Sequence, residues 1–232
     1  MKLYFKLVIV YVFFVFTSFT SLFADNFREA YVVEIGKIDI GKLLWDVHIS
    51  DYDYKISIRL KNKGFLSKLY KFEGSYEASG SVIKGSLIPI QYKQFWSTKK
   101  KVREVEIIFN NGSITELKML PDEKERPRID YIEINNYFDP LSSFVNILFG
   151  KDKSKTIDGR RVYSMVVEKK NDYENGEIKK VLIEDYINIW ADHKRNDLEY
   201  IEIGGNSSKG VFSMPKIMKI KFRGLLYKLR KI

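Results

Sequence analysis

The chain has 232 residues, of which 45% are hydrophobic, 15% aromatic and 30% charged, and its formal net charge is +10. This composition excludes a disordered chain, which would contain far fewer aliphatic and aromatic residues. The absence of cysteine excludes a disulfide framework, a thiolate metal site and a cysteine nucleophile. The length fits one domain, or at most two small ones.

The first 24 residues have the order of features that is typical of a secretory signal. Lys2 and Lys6 precede an almost unbroken apolar run, hydroxyl residues then dilute it, and Ala24 ends the segment. An uncleaved membrane anchor is the second interpretation and a buried core helix the third, because the apolar stretch is shorter than the about 20 residues that span a bilayer. We therefore expect a cleaved signal peptide at residues 1–24, export to the periplasm, and a single antiparallel β domain at residues 25–232.

Alternation of apolar and polar residues with a period of two dominates the rest of the chain and predicts a mainly β fold. Asp51-Tyr52, Asn111-Gly112 and Asn175-Gly176 lie between alternating runs, where hairpin turns are expected. The predicted strands cover residues 31–35, 43–49, 54–61, 103–109, 113–120, 161–169, 180–190, 198–203 and 215–229, the last with a bulge at Gly224. Strands at this spacing predict a curved antiparallel sheet or a partly open β-barrel.

One or two short helices should pack against this sheet. Asp139 and Pro140 supply a helix start, and Gly150 is a natural stop. Within residues 141–149 the apolar stripe is formed by Leu141, Phe144, Val145 and Leu148. A weaker helical turn is predicted at Phe65–Tyr70. The charged, proline-flanked residues 121–129 are interpreted as an exposed loop inside the domain, with a domain boundary as the alternative.

Five groups of residues occur in an order that is similar to a known family. They are Tyr31–Gly36 with Ile40-Gly41; Gly64-Phe65 and Gly74 with Pro89–Tyr92; Phe138–Ser142; Asp158–Arg160 with Tyr163; and Trp190, Asp192 and Arg195. Together they resemble the bacterial envelope family known as domain of unknown function 3108, over roughly residues 28–229. The resemblance implies an exported protein of Gram-negative bacteria with a curved antiparallel sheet. It supplies no catalytic residue.

Motifs of known enzyme classes are missing from the sequence. There is no nucleophile elbow, no phosphate-binding glycine loop and no paired-histidine metal motif. His193 lies near Asp192 and Asp197, but a charged turn is favoured there over a metal site. The adjacent carboxylates of Glu184 and Asp185 would point to opposite faces of a strand. We therefore predict no enzyme activity, no catalytic residue, no metal and no cofactor.

The strongest candidate for a ligand site is Trp190, Asp192 and Arg195, where an aromatic residue, an acid and a base cluster at a strand end. The alternative is that Asp192 and Arg195 only pair to fix a turn. Basic clusters at Lys99–Lys101 and near the C-terminus suggest an anionic partner, although general solubility charge is the alternative.

The first functional hypothesis is a non-enzymatic binding, carrier or scaffold module in cell-envelope maintenance. Its partner would be a lipid, lipopolysaccharide, a glycan or an envelope protein, with peripheral membrane contact as a further option. Because we expect export, we predict no nucleic-acid partner. The alternative hypothesis is an envelope hydrolase that acts on polysaccharide or peptidoglycan, which would require two facing carboxyl groups roughly 5 to 9.5 Å apart.

Overall fold

A computed structural model describes residues 25–62, 72–172, 176–190, 197–204 and 214–232. Within these ranges the chain forms one antiparallel sheet of 13 strands and one helix, which confirms the predicted mainly β fold. The predicted signal segment and the weaker helix at Phe65–Tyr70 lie outside the described residues. No helix in the described ranges combines the length and hydropathy needed to cross a bilayer.

The elements are β1 (Asp25–Ile35), β2 (Ile38–Ile49), β3 (Asp53–Asn62), β4 (Phe72–Ile83), β5 (Ser86–Thr98), β6 (Val102–Asn110), β7 (Ser113–Leu120), α1 (Pro140–Leu148), β8 (Lys153–Ile157), β9 (Arg161–Asp172), β10 (Gly176–Asn188), β11 (Leu198–Gly204), β12 (Ile217–Phe222) and β13 (Leu225–Lys231). The strand order in the sheet is β7-β6-β5-β4-β3-β2-β1-β13-β12-β11-β10-β9-β8. Strands that are consecutive in the chain therefore pair with each other, except for β7 and β8, and β1 pairs with β13 as well as with β2.

The sheet has two edges, β7 and β8, which do not pair with each other, so it is not closed into a barrel. The chain between them makes backbone hydrogen bonds toward both edges. The Asn136 N–H donates to the Gly112 carbonyl beside β7 at 2.9 Å, and the Phe138 N–H donates to the Lys155 carbonyl of β8 at 2.9 Å. This irregular segment bridges the gap between the two edges.

Helix α1 lies within the curve of the sheet. Its Phe144 ring packs 5.6 Å from the Trp45 ring of β2, while its Ser143 hydroxyl accepts a hydrogen bond of 3.0 Å from Ser154 of β8. These two strands are far apart in the sheet order, so the sheet must curve around the helix to contact it from both sides. Residues 141–147 are all buried, which confirms that this helix fills the core.

The start and end of α1 follow the predicted signals. The Asp139 side chain accepts hydrogen bonds from the Leu141 and Ser142 N–H groups at 2.9 and 3.0 Å, and Pro140 occupies the first turn. These bonds satisfy two of the donors that a helix start leaves open. Gly150 follows the helix with a φ of +101°, a conformation in which glycine has no Cβ clash.

Hairpin turns account for two confirmed predictions and one error. Asp51 and Tyr52 lie between β2 and β3, where Ile49 pairs with Tyr54. The predicted turn at Asn175-Gly176 includes Asn175, which lies outside the described residues. Asn111 and Gly112 both have positive φ, as a tight type I′ turn requires. The prediction of a single bulged strand over residues 215–229 is wrong. Arg223 and Gly224 also both have positive φ and form a turn between β12 and β13. Gly224 indicated the correct position of the irregularity. Nothing in the sequence indicates that Arg223 adopts a left-handed conformation and so completes a turn.

The sequence analysis missed β4, β5 and β8. β4 contains Gly74, Gly80 and several serines, which have low strand propensity, and β5 contains Pro89. A bulge lies between Ser79 and Gly80, where an added Cβ would come within 2.0 Å of the Ile88 carbonyl oxygen. Glycine at position 80 thus permits a close approach between two strands that the local pattern does not indicate.

Candidate functional site

Trp190, the first residue of the predicted ligand site, lies just beyond the end of β10 and is half-buried. Its indole N–H donates to the Gly159 carbonyl at 3.1 Å, and its ring packs 5.9 Å from that of Tyr131. Asp192 and Arg195 lie outside the described residues, so their role remains a prediction. The structure therefore places Trp190 against the turn that contains Gly159.

That turn, Asp158–Arg160, packs across the gap between the two sheet edges. Gly159 has a φ of +88°, and a Cβ added there would lie 2.4 Å from a methyl group of Val105 in β6 and 3.3 Å from Leu117 in β7. The turn is therefore in close contact with the far edge of the sheet. The sequence analysis noted Asp158–Arg160 and Trp190 separately, and the fold brings them together.

We expect Gly159→Ala to lower the free energy of unfolding by about 2 kcal/mol, because alanine combines an unfavourable positive φ with the contact to Val105. Urea denaturation measures the change. Gly150→Ala is the matched control, since Gly150 also has positive φ but nothing lies within 4 Å of an added Cβ. The cost of Gly159→Ala should be smaller in a Val105→Ala background than in the wild type, because the contact with Val105 is then absent. Equal costs at positions 159 and 150 would contradict the close contact.

A chain of charged side chains continues from this turn. The Asp158 carboxylate accepts hydrogen bonds from the Arg160 and Arg161 N–H groups at 2.9 and 2.8 Å. Arg161 reaches Asp197 at 3.1 Å, and Arg223 of the β12–β13 turn reaches the same Asp197 oxygen at 3.0 Å. Burial raises the pKa of Asp158, and the neighbouring Arg161 charge and the backbone donors oppose that rise. Alternating charges thus connect two turns at one end of the sheet.

A second polar group lies in the core at the start of α1. Asp139 is fully buried and also accepts a hydrogen bond from the Ser142 hydroxyl, which in turn contacts the Tyr54 hydroxyl at 2.6 Å. Burial raises the pKa of Asp139 to about 6, although hydrogen bonds from Ser142 and the backbone lower it. Burial also raises the pKa of Tyr54 above its ordinary range. A carboxyl, a hydroxyl and a phenol are aligned here, but Asp139 and Ser142 have no exposed surface for a substrate to contact.

Asn146, on the third side of α1, binds β5 through both ends of its amide. The Leu87 N–H donates to Asn146 Oδ1 at 2.8 Å, and Asn146 Nδ2 donates to the Leu87 carbonyl at 3.0 Å. Sequence reasoning identified only the apolar stripe of α1 and missed these polar contacts. The signal that could have shown them is the absence of any charged residue in Pro140–Leu148, which is typical of a helix buried on all sides.

His48 and the adjacent acids singled out in the sequence lie apart in the structure. The described residues contain no group of three or more potential metal ligands. His48 is exposed and contacts the Asn26 side chain, and His193 lies outside the described ranges. Glu184 and Asp185 are both exposed at a bulge of β10, and Asp185 accepts a hydrogen bond from Ser164 at 3.0 Å.

The basic residues near the C-terminus are spread over several strands and largely paired with acids. Lys219 contacts Glu202 at 3.2 Å, and Lys231 contacts Glu29 at 2.6 Å. Arg230 likewise contacts Glu34, at 3.1 Å. The C-terminal basic cluster of the sequence is therefore not a single cationic surface. On the β5–β6 turn, Lys99, Lys100 and Lys101 lie side by side and are all exposed.

A shallow groove of about 460 Å³ lies on the outer face of β1, β2 and β3. Within it Arg28 and Asp46 form an ion pair at 2.8 Å, so the central charges of the groove already satisfy each other. It is lined by Asn26, Phe27, Arg28, Asp46, Val47, His48, Lys55 and Ser57.

Comparison with known proteins identifies the family. The model of the family described as "Protein of unknown function (DUF3108)" matches residues 30–180, and the chain belongs to this family. The match confirms the resemblance and includes Asp139 and Asp158, whereas Trp190 lies beyond it. No curated protein matches the chain.

A solved structure supports the fold. The chain is similar to the crystal structure of a beta-barrel-like protein of the domain of unknown function DUF1849 from Brucella abortus, with a TM-score of 0.51 and 10% identity. The similarity covers 91% of this chain and 98% of that one. At this identity the similarity shows a shared fold and nothing about activity.

Proposed function

We propose that this member of the DUF3108 family is a non-enzymatic binding module of the bacterial cell envelope. It is exported to the periplasm, where it acts as a carrier or scaffold for a lipid, a lipoprotein segment or a glycan. The observation that supports this role best is how its buried Asp139 and its partly buried Asp158 are used. Asp139 and Asp158 accept hydrogen bonds from the helix and turn that they hold in place. Both carboxylates are therefore used to stabilise the fold, and this use supports a binding role for the protein.

A donor in the core favours a ligand that carries an oxygen. Trp45 is 5% exposed, and its indole N–H has no hydrogen-bond partner among the described residues. A buried donor without an acceptor costs about 1–3 kcal/mol, so such groups are nearly always satisfied. An ester, carbonyl or hydroxyl oxygen of a bound molecule would satisfy this one beside Phe144.

The envelope hydrolase is the weaker candidate. It would use a pair of carboxyl groups facing each other across an accessible cleft, with a substrate between them. Asp139 has a raised pKa, which suits a general acid, but it is fully buried beneath the start of α1. Its position favours a structural role.

The test is purification of the protein from the periplasm, followed by native mass spectrometry of bound molecules and cross-linking to envelope proteins. We expect a retained lipid, glycan or lipoprotein segment, and Trp45→Phe should reduce its occupancy because that variant lacks the indole N–H. Trp96→Phe is the matched control, since Trp96 packs 4.3 Å from Phe72 in another part of the sheet.

Two outcomes would overturn the proposed function. One is the absence of both a retained molecule and a cross-linked partner. The other is release of soluble products from peptidoglycan or polysaccharide that Asp158→Asn abolishes while circular dichroism shows an intact fold.

A further inference from the structure

Strand directions place three basic turns at one end of the sheet. β1, β5 and β12 run in the same direction, because each is separated from the next by an odd number of antiparallel strands. The turns that follow them, at residues 36–37, 99–101 and 223–224, therefore lie at the same end. Two of these turns are adjacent, since Ile35 of β1 pairs with Tyr227 of β13.

These three turns contain five cations and no acid. The five residues define the basic rim, namely Lys37, Lys99, Lys100, Lys101 and Arg223. Arg223 is paired with Asp197, and Asp39 and Glu104 flank two of the turns, so a surplus of cations remains. The turn at residues 158–160 adds one acid and one cation, and Asp122 and Glu123, which follow β7 at the same end, add two acids, of which Glu123 pairs with Arg160. The three described hairpin turns at the opposite end hold one acid, Asp51, and one cation, Lys84.

The conformation of the β5–β6 turn directs its lysines outward. The Thr98 hydroxyl oxygen accepts hydrogen bonds from the Lys100 and Lys101 N–H groups at 3.3 and 3.1 Å, and the Thr98 N–H donates to the Lys101 carbonyl at 2.9 Å. The backbone of the turn is thus satisfied internally. All three lysine side chains remain on the exposed surface.

An exposed aliphatic residue follows each basic turn directly. Ile38 is 63% exposed, Val102 44% and Leu225 47%. Leu226, next to Leu225, is exposed as well. Large apolar side chains at the tips of three turns at one end are a pattern that marks an interaction surface.

We propose that the basic rim docks this protein on an anionic phospholipid bilayer, with the lysines at the headgroup phosphates and Ile38, Val102 and Leu225 in the interfacial layer. Charge complementarity selects this partner, because clustered Lys and Arg bind anionic lipid surfaces and adjoining aliphatic residues add burial at the acyl boundary. A single-stranded nucleic acid would instead call for aromatic stacking platforms, which these tips lack. The inference does not depend on the ligand proposed above, which would lie in the core.

The experiment uses the protein as it accumulates in cells, with its N-terminus defined by mass spectrometry. Co-sedimentation compares neutral phosphatidylcholine vesicles with vesicles containing about 30% phosphatidylglycerol. We expect binding to the anionic vesicles only, decreasing as salt is added. Each cation near such a surface contributes roughly fivefold to binding, so replacing Lys99, Lys100 and Lys101 by serine should weaken binding about 100-fold.

A second triple variant removes the same charge elsewhere. Lys55→Ser, Lys84→Asn and Lys216→Ser alter exposed residues away from the basic rim and should retain nearly all binding. A third variant, Ile38→Ser with Leu225→Ser, tests the aliphatic contribution and should weaken binding without changing its salt dependence. Thermal unfolding confirms that each variant is folded.

The proposal is overturned if the wild-type protein does not bind anionic vesicles. It is also overturned if the triple variant of the basic rim and the control triple variant lose binding equally. Equal loss would indicate attraction by net charge alone. Binding to lipopolysaccharide micelles or to a purified envelope protein with no binding to the phospholipid vesicles would also overturn it. Each of these results leaves the retained-ligand test of the proposed function unaffected.

Discussion

Replacing Asn146 by alanine should lower the free energy of unfolding by about 4 kcal/mol, because it removes both hydrogen bonds that the Leu87 backbone makes to helix α1. Leu87 and Asn146 are fully buried, so water cannot replace the lost partners. The N–H and the carbonyl of Leu87 would each remain unsatisfied. Chemical denaturation gives the magnitude, and hydrogen exchange at the Leu87 amide should become faster as the helix loosens from β5.

Asn110→Ala is the matched control for this variant. Asn110 lies at the exposed end of β6, where the same substitution should change stability by less than about 0.5 kcal/mol. If Asn146→Ala cost no more than Asn110→Ala, the two-point contact between α1 and β5 would contribute nothing to the fold. The helix would then be held by apolar packing alone.

The second large effect concerns pH and the buried carboxyl of Asp139. Its pKa is about 6 in the folded protein and 3.8 in the unfolded chain. The folded state therefore binds the proton more tightly between pH 4 and pH 6, and the contribution of Asp139 to stability falls as the pH rises through that window. The difference in pKa corresponds to about 3 kcal/mol.

The measurement is the free energy of unfolding of the wild type and of Asp139→Asn from pH 4 to pH 7. Asparagine does not titrate, so the variant should gain about 3 kcal/mol relative to the wild type as the pH increases. Asn146→Ala is the control here, because it is destabilised but keeps the carboxyl group, and its difference from the wild type should stay constant. If the difference in free energy of unfolding between Asp139→Asn and the wild type did not change with pH, ionisation of the Asp139 carboxyl would not destabilise the folded protein.

Local signals in the sequence predicted the parts of the fold that depend on local chemistry. Asn111-Gly112 indicated a turn because glycine and asparagine tolerate positive φ, and Asp139-Pro140 indicated a helix start because the carboxylate can accept the first N–H groups. The mainly β fold likewise followed from the alternation of apolar and polar residues. Each of these features needs only a few consecutive residues to be recognised.

Features that depend on distant contacts could not be predicted in this way. The contact between the Trp190 indole and Gly159 joins residues 31 positions apart, and neither residue indicates the other. The same holds for Asn146, whose partner Leu87 lies 59 positions earlier in the chain. A small polar residue in a helix usually faces solvent, so its burial becomes visible only when the opposing strand is known.

The lysine clusters illustrate the same limit for the surface. From the sequence alone, Lys99–Lys101 and the C-terminal basic residues are equally good candidates for an anionic partner. The strand register separates them, since it brings Glu29 beside Lys231 and Glu34 beside Arg230 but leaves the β5–β6 turn exposed at one end. Pairing between strands therefore decides which charges can attract a partner.

The ladder between β1 and β13 has a consequence for how the chain reaches its native state. β1 is the first strand to leave the ribosome, yet one of its two neighbours is the thirteenth in chain order. Until residues 225–231 have been synthesised, one flank of β1 has no hydrogen-bonding neighbour, and the nascent polypeptide cannot finish its sheet. Contacts between residues so far apart in the chain raise the contact order and slow cooperative folding.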